Sequence, residues 1–125
     1  MSRAEPTSFV VVYRFMWDYL GLTGIPLLLY ARIFGFCRGP EGCFYESRPN
    51  TAAYLGVSER TVFRAMATLT KSGLVVEVGT HVVSKGVRTK TYQVNARVIR
   101  KAFDRGLTEG ITPDILSGPS PADHA

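Results

Sequence analysis

The chain has 125 residues, 46% hydrophobic and 20% charged, a make-up that excludes wholesale disorder and leaves little room for a second domain. Its net charge of +5 is unevenly spread: residues 1–47 are neutral, residues 48–105 carry 11 bases against 3 acids, and residues 106–125 carry acids alone. A field of that sign attracts polyanions, nucleic acid first and acidic membranes second; the longest apolar-dominated run, Ile25 to Phe36, is broken by Pro26 and Arg32 and falls short of the roughly 20 residues a bilayer span needs.

In chain order, residues 1–8 are expected to be a flexible N-terminus, residues 9–105 one folded domain and residues 106–125 a flexible acidic tail. Phe9 to Tyr13 is β-branched and aromatic, and reads as a short strand or an extended arm. Arg14 to Leu20 suits a short helical turn ended by Gly21. Thr23 then caps a helix that tolerates Pro26 only in its first turn. Ile25, Leu28, Leu29, Ile33 and Phe36 keep helical spacing, while Leu27, Tyr30 and Phe34 fall on other faces. A helix apolar nearly all round is central, or shared with a partner chain. Arg38 to Gly42 is a loop, and Phe44-Tyr45 a very short strand.

Pro49 opens the next helix, preceded by Ser47 or Arg48. Ala52, Ala53 and Leu55 give it a small inner face, and Gly56 ends it by adopting positive φ cheaply. Ser58 caps a further helix whose first turn holds Glu59, suited to the positive end of the dipole. Val62, Ala65, Met66 and Leu69 form its core stripe. Arg60, Phe63, Arg64, Ala67 and Lys71 face elsewhere, and Gly73 stops it. Leu74 to Val78 and Arg88 to Val94 read as two strands of a hairpin, linked by a long basic loop from Gly79 to Gly86. Asn95 caps a last helix with Val98, Ile99, Ala102 and Phe103 on one face and Arg97, Arg100 and Lys101 on the other. Within the tail, Ile111 to Leu116 is the one segment apolar enough to dock.

Taken together the elements are α+β, mainly helical. The stretch from Asn50 to Val76, with Ala52-Ala53, Gly56, Val57, Ser58, Val62, Arg64, Leu69 and the ending Ser72-Gly73-Leu74, resembles the winged helix–turn–helix DNA-binding family. The resemblance implies a bracing helix, a recognition helix, a two-stranded wing, an N-terminal apolar arm and a C-terminal helix. Agreement of helix length, turn chemistry and strand onset carries more weight than any one residue. Two helices joined by a tight turn cross steeply, so the first braces the second for entry into a major groove about 12 Å wide.

The candidate DNA contacts follow from that placement. Arg60 and Arg64 lie on one face and suit guanine edges or phosphate. Ser58 and Thr61 suit phosphate or base edges, though Thr61 serves equally as a helix-start residue. Lys71 suits a phosphate. Arg48 and Asn50 sit at the start of the bracing helix, where backbone amides also attract phosphate. Lys85, Arg88 and Lys90 ride on the hairpin. Phe63 either meets a thymine methyl or is covered by the wing or a partner.

Other chemistry finds no foothold. His81 and His124 have no carboxylate or thiol near them in sequence, so no catalytic site and no enzyme is expected. Cys37 and Cys43 suit reduced, partly buried thiols, and no metal or other cofactor is expected. The N-terminus, with Glu5 and Pro6, lacks the order of a secretion signal, so a cytoplasmic, bacterial or phage-encoded and nucleoid-associated protein is expected. Trp17, Leu20, Leu22-Thr23-Gly24, Leu28, Tyr30 and Ile33-Phe34-Gly35-Phe36, followed by the DNA motif, are similar to phage and plasmid replication initiators. Those proteins are normally longer, so a transcriptional regulator or an accessory protein of a mobile element fits better. The expected partner is double-stranded DNA. A homodimer through the arm and first helix is expected from the aromatic excess of Phe15, Trp17, Tyr19, Tyr30 and Phe34. The competing expectations are an accessory of phage or plasmid replication initiation and a protein-docking winged helix acting as inhibitor or adaptor of a nucleoprotein machine.

Overall fold

A computed structural model describes residues 8–39 and 42–104, without the side chains of Val83, Ser84 and Phe103. The expectations for residues 1–7 and for the tail, including Ile111 to Leu116 and His124, lie outside the described residues. The chain forms α1 (Arg14–Asp18), α2 (Gly24–Cys37), α3 (Arg48–Leu55), α4 (Glu59–Lys71), β1 (Val75–Ser84), β2 (Val87–Val94) and α5 (Ala96–Asp104). The class is α+β, with five helices and one antiparallel hairpin among the described residues.

The core is built around α2. Leu29, Tyr30, Ala31, Ile33, Phe34 and Cys37 are all buried, so burial wraps past the stripe that helical spacing marks and takes in Tyr30 and Phe34. The helix packs against α1, α3, α4 and β2. Residues 8–13 have no strand pairing and run as an extended arm. Val10, Val12 and Tyr13 of that arm pack on the core, and the Phe9 carbonyl accepts from Tyr54 Oη at 3.0 Å. Phe15 makes edge-on ring contacts with Phe34 at 5.9 Å and with Tyr30 at 6.4 Å. Three of the five aromatic residues that suggested a dimer are thus buried in this chain's own core. Trp17, half exposed, is not.

Tyr30 is fully buried, and its hydroxyl has no hydrogen-bond partner among the described residues. An unpaired buried polar atom costs about 1–3 kcal/mol. Tyr30→Phe is therefore expected to stabilise the fold by roughly 1 kcal/mol, read as a higher urea midpoint at unchanged slope. Burial also pushes the Tyr30 phenol above its ordinary value, with the Cys37 thiol nearby adding to the shift. Cys37 packs against the β2 backbone, its Sγ 4.0 Å from the Tyr92 carbonyl. Burial pushes its thiol from 9.0 to about 11. Both groups hold their protons more tightly when folded. Cys37 loses about 1.4 kcal/mol per pH unit between 9.0 and about 11, and Tyr30 begins to add to the loss above its ordinary value of 10.0. In Cys37→Ala the decline should begin about one pH unit higher, from Tyr30 alone. Urea melts between neutral and alkaline pH measure this.

The hairpin corrects the sequence expectation. Gly79 to Gly86 is not a long loop: β1 continues to Ser84, and only Lys85 and Gly86 separate Ser84 from its partner Val87. Both turn residues have positive φ, 42° and 83°, as a two-residue turn matched to strand twist requires. Gly79 marks an irregularity in register between Glu77 and the Gly79–Thr91 pair rather than the end of a strand. Phe44 forms an isolated antiparallel bridge to Tyr92, with paired N–H···O bonds of 2.8 and 2.9 Å, so the expected short strand is a single rung on β2. Smaller corrections concern burial and boundaries. Leu28, Phe36, Ala53, Met66 and Val98 are only partly buried. The α3 helix begins at Arg48, with Ser47 as cap and Pro49 as its second residue.

Candidate nucleic-acid interface

α4 is set by its ends. Ser58 Oγ accepts from the Thr61 amide at 3.1 Å and lies 3.0 Å from Thr61 Oγ1, so both hydroxyls take part in the cap. At the other end Gly73 has φ +78°. Its N–H reaches the Thr70 carbonyl, and the Leu74 N–H reaches that of Leu69, which closes the last turn with two carbonyls satisfied. Glu59 in the first turn and Lys71 in the last match the dipole. Val62, Ala65 and Leu69 are buried.

Arg60, Arg64 and Lys71 stand on the opposite, exposed flank. Their side chains have no ion pair or hydrogen bond among the described residues. The charge is thus unneutralised and solvated, which suits a polyanion.

α3 packs against α4. Gly56 closes it with φ +72°, and the Val57 N–H returns to the Ala52 carbonyl. Arg48 and Asn50 are exposed in its first turn, where Ser47 Oγ accepts from the Asn50 amide at 3.3 Å. Asn95 joins α4 to the hairpin. Its N–H bonds the Leu74 carbonyl, its Nδ2 donates to the Gly73 carbonyl at 2.9 Å, and its Oδ1 accepts from the Arg97 amide. One side chain therefore caps α5 and fixes where the hairpin leaves α4. Lys85 is exposed at the hairpin tip.

Between α4 and the hairpin lies a groove of about 500 Å³. Phe63, Met66 and Thr70 line its helical wall; Glu77, Arg88, Lys90 and Tyr92 line the hairpin wall, and Arg48 stands at its side. Phe63 is 56% exposed, with the Arg48 guanidinium 4.9 Å from its ring centroid. It is not covered by the hairpin. Lys90 Nζ lies 3.7 Å from Glu77 Oε1, and Arg88 Nη1 donates to Thr80 Oγ1 at 3.1 Å. Burial raises the Tyr92 phenol above its ordinary value, opposed by the nearby Lys90 and reinforced by Glu77.

The structure thus brings Arg48, Phe63, Arg88 and Lys90 together at one groove, with Arg60, Arg64 and Lys71 on the adjoining helix flank and Lys85 apart at the tip. Tyr92 and Glu77 also line this groove and were not among the residues the sequence singled out. Period-two alternation through Arg88, Lys90 and Tyr92 was the available signal. A second cavity, of about 600 Å³, lies between the arm and α2 and includes Phe9, Val11, Tyr13, Phe36 and Arg38 in its lining. Arg38 Nη1 donates to Tyr13 Oη there at 2.6 Å.

No helix among the described residues is long and apolar enough to cross a membrane. No cluster of three or more His, Cys, Asp or Glu side chains among them is placed to hold a metal ion. Comparison of the chain with family models, curated proteins and solved structures gives no match.

Proposed function

We propose that the chain is a winged-helix protein that binds double-stranded DNA, with α4 as recognition helix, α3 as its brace and the β1–β2 hairpin as wing. The observation that carries this is the unpaired, exposed flank of Arg60, Arg64 and Lys71 opposite the buried stripe of α4. A helix so presented puts its N-terminal side chains against base edges and its basic end against phosphate. Arg48 and Asn50 at the start of α3, and Lys85, Arg88 and Lys90 on the hairpin, extend the positive surface to either side. Ser58 and Thr61 act first as the helix cap and offer their remaining hydrogen-bonding capacity to a phosphate.

The role that fits is a transcriptional regulator or an accessory protein of a mobile element, working in the cytoplasm on nucleoid DNA as a binding protein rather than an enzyme. A homodimer through the arm and α1 is part of this proposal, supported by Phe9, Val11 and Trp17, which stay exposed there. Selection of bound duplexes from a random pool tests it. A consensus with two-fold symmetry is the expected result, and recovery of no enriched sequence would contradict sequence-specific binding. The exposed Phe63 favours a second reading, docking of the same face onto a protein of a nucleoprotein machine; an interface of that kind would lose affinity on Phe63→Ala without strong dependence on salt.

A further inference from the structure

We infer that the groove between α4 and the hairpin is a second nucleic-acid site, built to hold an unpaired base of a single-stranded segment next to the duplex. The inference rests on the DNA-binding reading above and adds a substrate class to it. A duplex presents stacked base pairs and phosphate, and an exposed benzyl ring has little to stack on in either. An unpaired base offers a π-face, which aromatic side chains accept whatever its identity.

Phe63 supplies such a ring, more than half exposed and backed by the Arg48 guanidinium at 4.9 Å. The opposite wall carries what a nucleotide needs besides stacking. Arg88, bonded to Thr80, and Lys90, 3.7 Å from Glu77, are both exposed, so their loose surface contacts can be exchanged for its phosphate. Glu77 and the Tyr92 hydroxyl line the same wall and can meet donors and acceptors on a base edge, as carboxylates do with the cytosine amino group. The volume of about 500 Å³ lies in the range of small-ligand sites. The charge is right as well. Glu46, also in the lining, is held by Nε and Nη2 of Arg32, which leaves Glu77 as the one acid facing Arg48, Arg88 and Lys90 among the lining residues.

The test compares a blunt duplex with the same duplex carrying a short single-stranded overhang, both titrated by fluorescence anisotropy with full-length protein. A third arm places 2-aminopurine in the overhang to report stacking. The overhang should tighten binding by about tenfold, in keeping with the stacking of a base on one aromatic side chain, and the 2-aminopurine emission should be quenched on binding. Phe63→Leu keeps an apolar side chain at an exposed position and should bring the overhang-to-blunt ratio close to one and abolish the quenching. Arg60→Ala should weaken both ligands and keep the ratio. Equal affinity for the two ligands, or quenching that survives in Phe63→Leu, would overturn the inference while leaving duplex binding intact. Failure of both ligands to bind would remove the DNA-binding reading and this site with it.

Discussion

Arg32→Ala is expected to lower stability by about 3 kcal/mol and the melting temperature by on the order of 10 °C. Arg32 interrupts the apolar run of α2, yet it is only 17% exposed. Its Nε and Nη2 donate to the two carboxylate oxygens of Glu46 at 2.9 and 2.7 Å. Glu46 Oε1 also accepts from the buried Thr51 hydroxyl at 2.8 Å. The guanidinium lies over the Tyr54 ring, 3.4 Å from its centroid. One charge pair thus ties α2 to the segment before α3 and to α3 itself. Removing the cation alone leaves a carboxylate at 14% exposure without its counter-charge, which is costly, whereas replacing both members by apolar groups is often close to neutral. The double variant Arg32→Met with Glu46→Leu should therefore lose less stability than Arg32→Ala. Denaturant melts of the variants decide it: a loss below about 1 kcal/mol, the range of an exposed pair, would show that the pair behaves as a surface contact.

Arg64→Ala is expected to weaken binding at a preferred site by about 1–3 kcal/mol, or roughly 5- to 150-fold, and to relax preference at one base pair. Arg64 stands exposed on the free flank of α4, one turn after Arg60, and in the proposed reading it faces base edges. Lys85→Ala should weaken binding to all sequences alike and lower the salt slope by about one, the result expected if the exposed lysine at the hairpin tip meets phosphate alone. Affinities on the selected site and on a scrambled duplex separate the two. Equal loss on both duplexes for Arg64→Ala would assign that side chain to phosphate alone.

Local chemistry made most of the helices legible. Ser47, Ser58, Gly56 and Gly73 act within one turn of their own position, so their roles can be read from neighbouring residues, and each occupies the cap or turn expected of it. The apolar stripe of α4 likewise holds at Val62, Ala65 and Leu69. The hairpin was misread because Gly79 looks like punctuation. In the fold it is a register irregularity within a strand that Val82 continues, and the reversal falls on Lys85-Gly86. Lysine at positive φ is not a residue that announces a tight turn. The Arg32–Glu46 pair joins residues 14 apart, and the groove joins α4 to β2; neither leaves a periodic trace in the chain. The aromatic excess behind the dimer expectation was harder to read. Composition counts aromatic residues without saying whether they meet each other, and Phe15, Tyr30 and Phe34 do so inside one chain.

The central claim is that the unpaired cations of α4 and the exposed cations of the hairpin meet the phosphates of a duplex. Titrating affinity for random-sequence duplex against salt tests it most directly. About six phosphate contacts give a log–log slope near −5, so binding should be firm at about 50 mM salt and fall steeply above it. Absence of binding to any duplex at that low salt, or an affinity indifferent to salt, would contradict it.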